Sequence, residues 1–179
     1  MGAHAKEMLC SIGINEKKWP APEVINLLNR DPAAFIVVCN IEENTTPQII
    51  GAGQLLLGRP SLVDKVFPGV FPVTRCVYEA SLTEINPEFR GSRRFPGGVK
   101  VLTALLRGIF HALPDDAEAI NCLLEDPVLR LYNRVGLPFR KISNAGVHYW
   151  CGTEQHGEKC RLTWACELDL NEASREMPK

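Results

Sequence analysis

The stretch Arg90-Gly-Ser-Arg-Arg-Phe-Pro-Gly-Gly-Val99 sets three arginines and three glycines between an apolar strand-like run and an apolar helix-like run. At the start of a helix the first backbone N–H groups have no intrahelical partner, and they point the same way as the positive end of the helix dipole. Glycines let an anion come close to that backbone, and guanidinium groups add charge and forked hydrogen bonds. Arg90, Arg93, Arg94, Gly97, Gly98 and Val99 together describe a cradle for a phosphate. A polar connection with no ligand has a similar composition, so the rest of the chain has to decide between the two.

The elements that would position this loop follow from periodicity and turn chemistry. A short amphipathic helix is expected over residues 22–30, with apolar residues at positions 24, 25, 27 and 28. Residues 33–41 are Val- and Ile-rich, and Glu42-Glu-Asn-Thr-Thr-Pro47 is a turn. Residues 48–57 form the next strand, so the two strands pair as an antiparallel hairpin. One helical turn is expected at 62–66 inside a Pro-rich loop, then a strand over 74–85. After the arginine loop, Val101, Leu102, Leu105, Leu106, Ile109 and Phe110 line one face of a helix from Gly98 to Leu113. A strand at 117–124 leads into a helix with Asp126 as N-cap, Pro127 as first residue and Gly136 as stop. Strands at 138–142, 147–152 and 160–169 finish the chain. This order predicts an α/β (α+β) architecture with a central mixed sheet flanked by helices. Ligands of such sheets sit beyond the strand carboxyl ends.

Length and composition bound the function. A chain of 179 residues is expected to be a single domain over 1–179, with residues 1–20 poorly structured. The net charge of -1 gives no global attraction to nucleic acid or membrane, and no apolar run is long enough to span a membrane. The N-terminus lacks the apolar core of a signal peptide. Seven cysteines, several inside apolar runs, suit a reducing cytoplasm better than a disulfide framework. His148, Cys151, His156 and Cys160 are metal ligands by type, but their spacing lacks a paired C-x-x-C, and no metal is expected.

Arg94-Phe-Pro-Gly97-Gly98-Val99 resembles the pyrophosphate-binding loop Arg/Gln-x-x-Gly-x-Gly/Ala of the GCN5-related N-acetyltransferase (GNAT) superfamily, with Val99 where Gly or Ala is usual. Leu131-Tyr132-Asn-Arg-Val-Gly136-Leu137 is close to the pattern on that superfamily's next helix. Within the superfamily, residues 31–170 most resemble the N-acyl-homoserine lactone synthases of bacterial quorum sensing. The matching residues are Asp31-Pro-Ala-Ala-Phe35, Gly51-Ala-Gly-Gln54-Leu-Leu-Leu57, Phe67-Pro68 and Val77-Tyr78-Glu79-Ala80-Ser81-Leu82, in the family's order. Gln54 and Leu82 stand where those synthases carry arginine, and Tyr78 stands where they carry tryptophan. The resemblance implies acyl transfer from a thioester of CoA or of acyl carrier protein to an amine, with S-adenosylmethionine as a candidate acceptor. A sensor that keeps the fold and binds acyl thioesters without catalysis is the alternative, favoured by Gln54 and Leu82. Small molecules and acyl carrier protein are the expected partners.

Such a transfer needs a base for the amine, a donor for the oxyanion and a proton for the departing thiolate. Glu79 is the candidate base, because an inward-facing strand carboxylate is partly desolvated and its pKa rises toward the useful range. A glutamate facing solvent or a structural arginine is the competing role, and Glu84 is the nearby competitor. Ser81 shares the Glu79 face and would hold a water or a substrate carbonyl, unless it bonds to neighbouring backbone. Tyr132 would donate to the sulfur; packing on an amphipathic helix is its alternative role. The oxyanion donor would be a backbone N–H at an irregularity in the 74–85 strand.

Overall fold

The computed structural model describes residues 34–40, 48–57, 62–71, 77–86, 98–149 and 161–171, with residues 7, 10, 46 and 89 besides. The elements are β1 (Ala34–Asn40), β2 (Gln48–Leu57), α1 (Leu62–Val66), β3 (Val77–Ile85), α2 (Gly98–Ala112), β4 (Ala119–Glu125), α3 (Asp126–Arg134), β5 (Arg140–Lys141), β6 (Val147–Tyr149) and β7 (Arg161–Asp169). The strands run in the order β1-β2-β3-β4-β7-β5, with β6 also paired to β7. β1–β2 is antiparallel, β3–β4 parallel, and β7 antiparallel to its three neighbours, so the sheet is mixed, as expected. The helix expected over 22–30 lies outside the described residues, as does the segment 1–20 apart from Glu7 and Cys10. Among the described residues no helix is long and apolar enough to cross a membrane.

The chain divides into two compact units, and β3 contributes to both. The first contains β1, β2 as far as Leu55, β3 from Leu82, and α2. Its core is Ile50, Val101 and Leu105, with Ile36, Val38, Ile85 and Phe89 packed on it. α2 forms because its apolar residues fall at helical spacing: Val101, Leu102, Leu105, Leu106 and Ile109 are buried, while Lys100, Ala104, Arg107 and His111 are exposed. The helix meets β1 through Gly108, where an added Cβ would lie 2.5 Å from Ile36 Cγ2.

The second unit holds α1, β3 as far as Ser81, β4, α3, β5, β6 and β7. Val63, Phe67, Phe71 and Ala165 form its core, with Leu123 and Ile142 against them. β5 and β6 occupy the same edge of β7 with a break between them. Within the break the Ile142 N–H still donates to the Ala165 carbonyl at 2.9 Å, and Ser143 Oγ accepts the Ala165 N–H at 3.2 Å. A hydroxyl thus replaces a strand carbonyl for one ladder position.

α3 follows β4 without a linker. Glu125, extended at φ -79 and ψ 153, is its N-cap and makes no side-chain cap bond. Asp126, expected as N-cap, is instead the first helical residue. The physical reason is a stronger partner: Lys141 Nζ lies 2.6 Å from Asp126 Oδ1. The stop at Gly136 is as expected. Its φ of +88 is left-handed, and the Leu137 N–H returns to the Tyr132 carbonyl at 3.0 Å.

Candidate functional site

The parallel ladder of the second unit pairs Val77 with Ala119, Tyr78 with Ile120 and Glu79 with Asn121. β3 continues to Ile85 and β4 to Glu125, yet among the described residues no further β3–β4 pair follows. Glu79 therefore stands at the last rung of this ladder. It is 3% exposed, and its Oε2 accepts the Val63 N–H, in the first turn of α1, at 3.0 Å. Its Oε1 is closed off from solvent.

Register extends this rung across the sheet. Asn121 pairs with Glu167 of β7, and Glu167 with Arg140 of β5. Paired residues share a face, so Glu79, Asn121, Glu167 and Arg140 form one polar row. Asn121 and Glu167 are each 5% exposed. Arg140 Nη2 lies 3.6 Å from Glu167 Oε1 and 4.0 Å from Asp169 Oδ2. The next row on this face, Leu123 and Ala165, is apolar and covered by Val63, Phe67 and Phe71. The polar row is thus bordered on one side by dry core.

The opposite face carries different groups. Cys122 pairs with Cys166, and Cys166 with Lys141. The Lys141 ammonium lies 3.6 Å from the centre of the Trp164 ring. Its hydrogen bond to Asp126 holds that carboxyl below its usual range, aided by the charges of Lys141 and Arg130. α3 is anchored on this face, and Tyr132 is buried with its ring centre 5.4 Å from that of Phe139. Burial, then the charges of Cys166 and Glu79, push the Cys122 thiol well above its ordinary pKa. Cys166 is pushed up to about 12, chiefly by burial.

The residues singled out from the sequence are therefore distributed as follows. Glu79 is buried at the ladder's end, while Glu84 is half-buried further along β3. Ser81 belongs to β3, but its side chain lies outside the described residues. Tyr132 lies against the opposite face from Glu79, so the structure joins Glu79 to Asn121 and Glu167 rather than to Tyr132. Arg90, Arg93, Arg94 and Gly97 lie outside the described residues. Gly98 and Val99 are the first two residues of α2, and Gly98 is thus where the expected cradle helix begins. Gln54, where the resembled synthases carry arginine, is fully buried in β2. Of the possible metal ligands, His148 is exposed in β6, and Cys151, His156 and Cys160 lie outside the described residues. Sequence reasoning missed Asn121, Glu167 and Arg140. The signal was a lone Asn in the apolar run Ala119–Leu124 and a lone Glu between Cys166 and Leu168.

No protein-family model matches the chain, and no curated protein matches it. Solved structures do. FeeM, an N-acyl amino acid synthase from uncultured soil microbes, is 12% identical with a TM-score of 0.64, over 97% of this chain and 93% of FeeM. The NatC complex bound to Gag peptide and CoA matches at 14% identity and a TM-score of 0.57, over 95% of each chain. TofI in an apo form matches at 19% identity and a TM-score of 0.53, over 80% of this chain and 74% of TofI. The fold is GNAT-like. It is shared with acyl-homoserine lactone synthases and N-acetyltransferases, and among the described residues the sheet and helix order from β1 onward is the one expected from the sequence.

Proposed function

We propose that this protein is an acyltransferase that moves an acyl group from a thioester to the nitrogen of a small amine. The observation that carries the reading is buried Glu79 at the last β3–β4 rung, toward the strand carboxyl ends where ligands of such sheets bind. Glu79 takes a proton from the amine. The nitrogen attacks the thioester carbonyl carbon, a C–N bond forms and the carbonyl pair moves to oxygen. A backbone N–H of β3 beyond the last rung stabilises that oxyanion. Collapse breaks the C–S bond, and the sulfur leaves with the electron pair, its proton supplied by the Tyr132 hydroxyl from the other face. Ser81 holds the substrate carbonyl or a water beside it.

The donor is an acyl group on CoA or on acyl carrier protein. Its phosphates fall to the arginine–glycine stretch, Arg90, Arg93, Arg94, Gly97, Gly98 and Val99, on the sequence argument. That fold neighbours include a complex with CoA and a synthase solved with S-adenosylmethionine and isopentyl-CoA supports a CoA donor. S-adenosylmethionine is a weak acceptor in this reading, because Gln54 and Leu82 carry no charge where the resembled synthases carry arginine. A role in autoinducer synthesis depends on that acceptor. The cytoplasm is the setting that suits the free thiols of Cys122 and Cys166. A sensor that binds acyl thioesters without turning them over is the second reading, favoured by the same two replacements.

Mass spectrometry of products tests the choice. The protein is incubated with acyl-CoA and acyl carrier protein donors of several lengths and with primary amines that include S-adenosylmethionine. An N-acyl product from the wild type, absent with Glu79→Gln, supports the transferase. Donor binding with no product from any pair replaces it with the sensor.

A further inference from the structure

α2 turns a basic face to solvent. Lys100, Ala104, Arg107 and His111 are exposed along it, with half-buried Thr103 beside them. Steps of three, four and seven residues put these side chains on one side of a helix. From Lys100 to His111 the stripe rises roughly 16 Å. The helix Gly98–Ala112 contains no Asp or Glu, so no carboxylate of its own offsets these cations. A groove of about 430 Å³ is lined by Lys100, Thr103, Ala104 and Arg107. The two cations stand two turns apart along the helix, with the small side chains of Thr103 and Ala104 between them.

Shape and charge together select an occupant. A lone phosphate neutralises one point, whereas this stripe runs over three turns. A partner helix with carboxylates three, four and seven residues apart repeats at the same rise, so its acids meet cations along the whole stripe. Small residues at the point of contact let two helices lie close together. Charge pairing of this exposed kind speeds encounter and fixes register more than it adds affinity. That suits a donor that must dock, deliver its acyl group and leave. Acyl carrier proteins are acidic, helical and carry the acyl thioester on a phosphate-bearing arm. CoA has no helix to lay along the stripe.

We propose that the exposed face of α2 docks an acidic helix of an acyl carrier protein, with Lys100 and Arg107 pairing to its carboxylates from the two ends of the groove. The inference rests on the acyl-transfer reading and narrows its donor to a carrier-borne acyl group. Lys100 and Arg107 recognise the partner and take no part in making or breaking bonds. Thr103 and Ala104 set how closely the partner helix approaches.

Surface plasmon resonance on the full chain tests this. Bacterial octanoyl-acyl carrier protein and CoA are each titrated against it at low and at physiological salt. The double variant Lys100→Glu with Arg107→Glu should weaken carrier binding at least about ten-fold at low salt, chiefly through a slower association rate, and flatten its salt dependence. CoA affinity should stay at the wild-type value. Ala104→Trp keeps both cations but fills the groove, and it should weaken carrier binding as well. All three positions face solvent or nearly so, and such substitutions seldom disturb a fold. No carrier binding by the wild type, or carrier binding unchanged in either variant, overturns the proposal. An equal loss of CoA affinity in the double variant also overturns it and assigns the groove to the nucleotide end of CoA. Charge-dependent carrier binding by a protein that forms no N-acyl product keeps the docking face and overturns acyl transfer instead. An N-acyl product from acyl-CoA without carrier binding keeps acyl transfer and overturns the docking face.

Discussion

The Glu79 carboxylate accepts the backbone N–H of Val63 at 3.0 Å, a bond between groups sixteen residues apart that ties β3 to the first turn of α1. The N–H groups of a first helical turn have no partner within the helix, and this one is met by a buried acid. The same bond fixes the orientation of the carboxylate. In the proposed acyl transfer a base held this way would meet its substrate with little reorganisation, and the residue would combine a structural task with a chemical one.

The two tasks separate by substitution. Glu79→Gln keeps a carbonyl oxygen for the Val63 N–H, so unfolding free energy should change by less than about 1 kcal/mol. Glu79→Ala leaves that buried N–H unmet and should cost about 1–3 kcal/mol. Both should abolish acyl transfer, with donor binding retained in Glu79→Gln. Thermal denaturation and turnover measured on both variants check this. Transfer by Glu79→Gln near the wild-type rate would remove Glu79 from the chemistry.

Gly108 offers a test of the first unit. Alanine is better than glycine within a helix by about 1 kcal/mol, which taken alone predicts that Gly108→Ala stabilises. Against this, the new Cβ would lie 2.5 Å from Ile36 Cγ2, a contact that must be relieved by moving helix or strand. Overpacking of that kind costs about 1–3 kcal/mol, so the clash wins and Gly108→Ala should lower Tm. The double variant Gly108→Ala with Ile36→Ala removes the clashing atom. Its loss should be smaller than the sum of the two single losses, a coupling of about 0.5–3 kcal/mol in a double-mutant cycle. Simple additivity would show that α2 and β1 yield freely at this point.

The parts of the fold legible in the sequence are those set by short-range pattern. The β1–β2 hairpin was readable from two Val- and Ile-rich runs about a polar turn, α2 from its apolar stripe, and the end of α3 from Gly136. Glu79 was readable as a candidate because its strand motif is local. The polar row was not, because Asn121 meets Glu79 and Glu167 only through the register of strands 42 and 46 residues away in the chain. Register is a property of the assembled sheet. Asp126 was misread for a related reason: its capping chemistry is local, but the Lys141 that draws it away comes from β5.

The last prediction concerns the thiols on the face opposite Glu79. Cys122 and Cys166 are buried, and both have folded pKa values above the ordinary thiol value, with Cys166 at about 12. A raised folded pKa means that the native state keeps its proton where the unfolded state releases it. Stability from these protons is fully present below the unfolded thiol pKa, roughly 8.5, and is lost as pH rises from there through the folded value, about 12 for Cys166. Tm should therefore fall on the alkaline side from about pH 9, and Cys166→Ala should make that fall shallower while lowering Tm at neutral pH through the cavity it leaves. Reactivity should follow the same division. Iodoacetamide at about pH 8 should label exposed Cys10 and Cys39 in the native protein and spare Cys122 and Cys166 until the chain unfolds. Peptide mass spectrometry before and after denaturation reads this directly, and rapid native labelling of Cys166 would contradict the burial of that face.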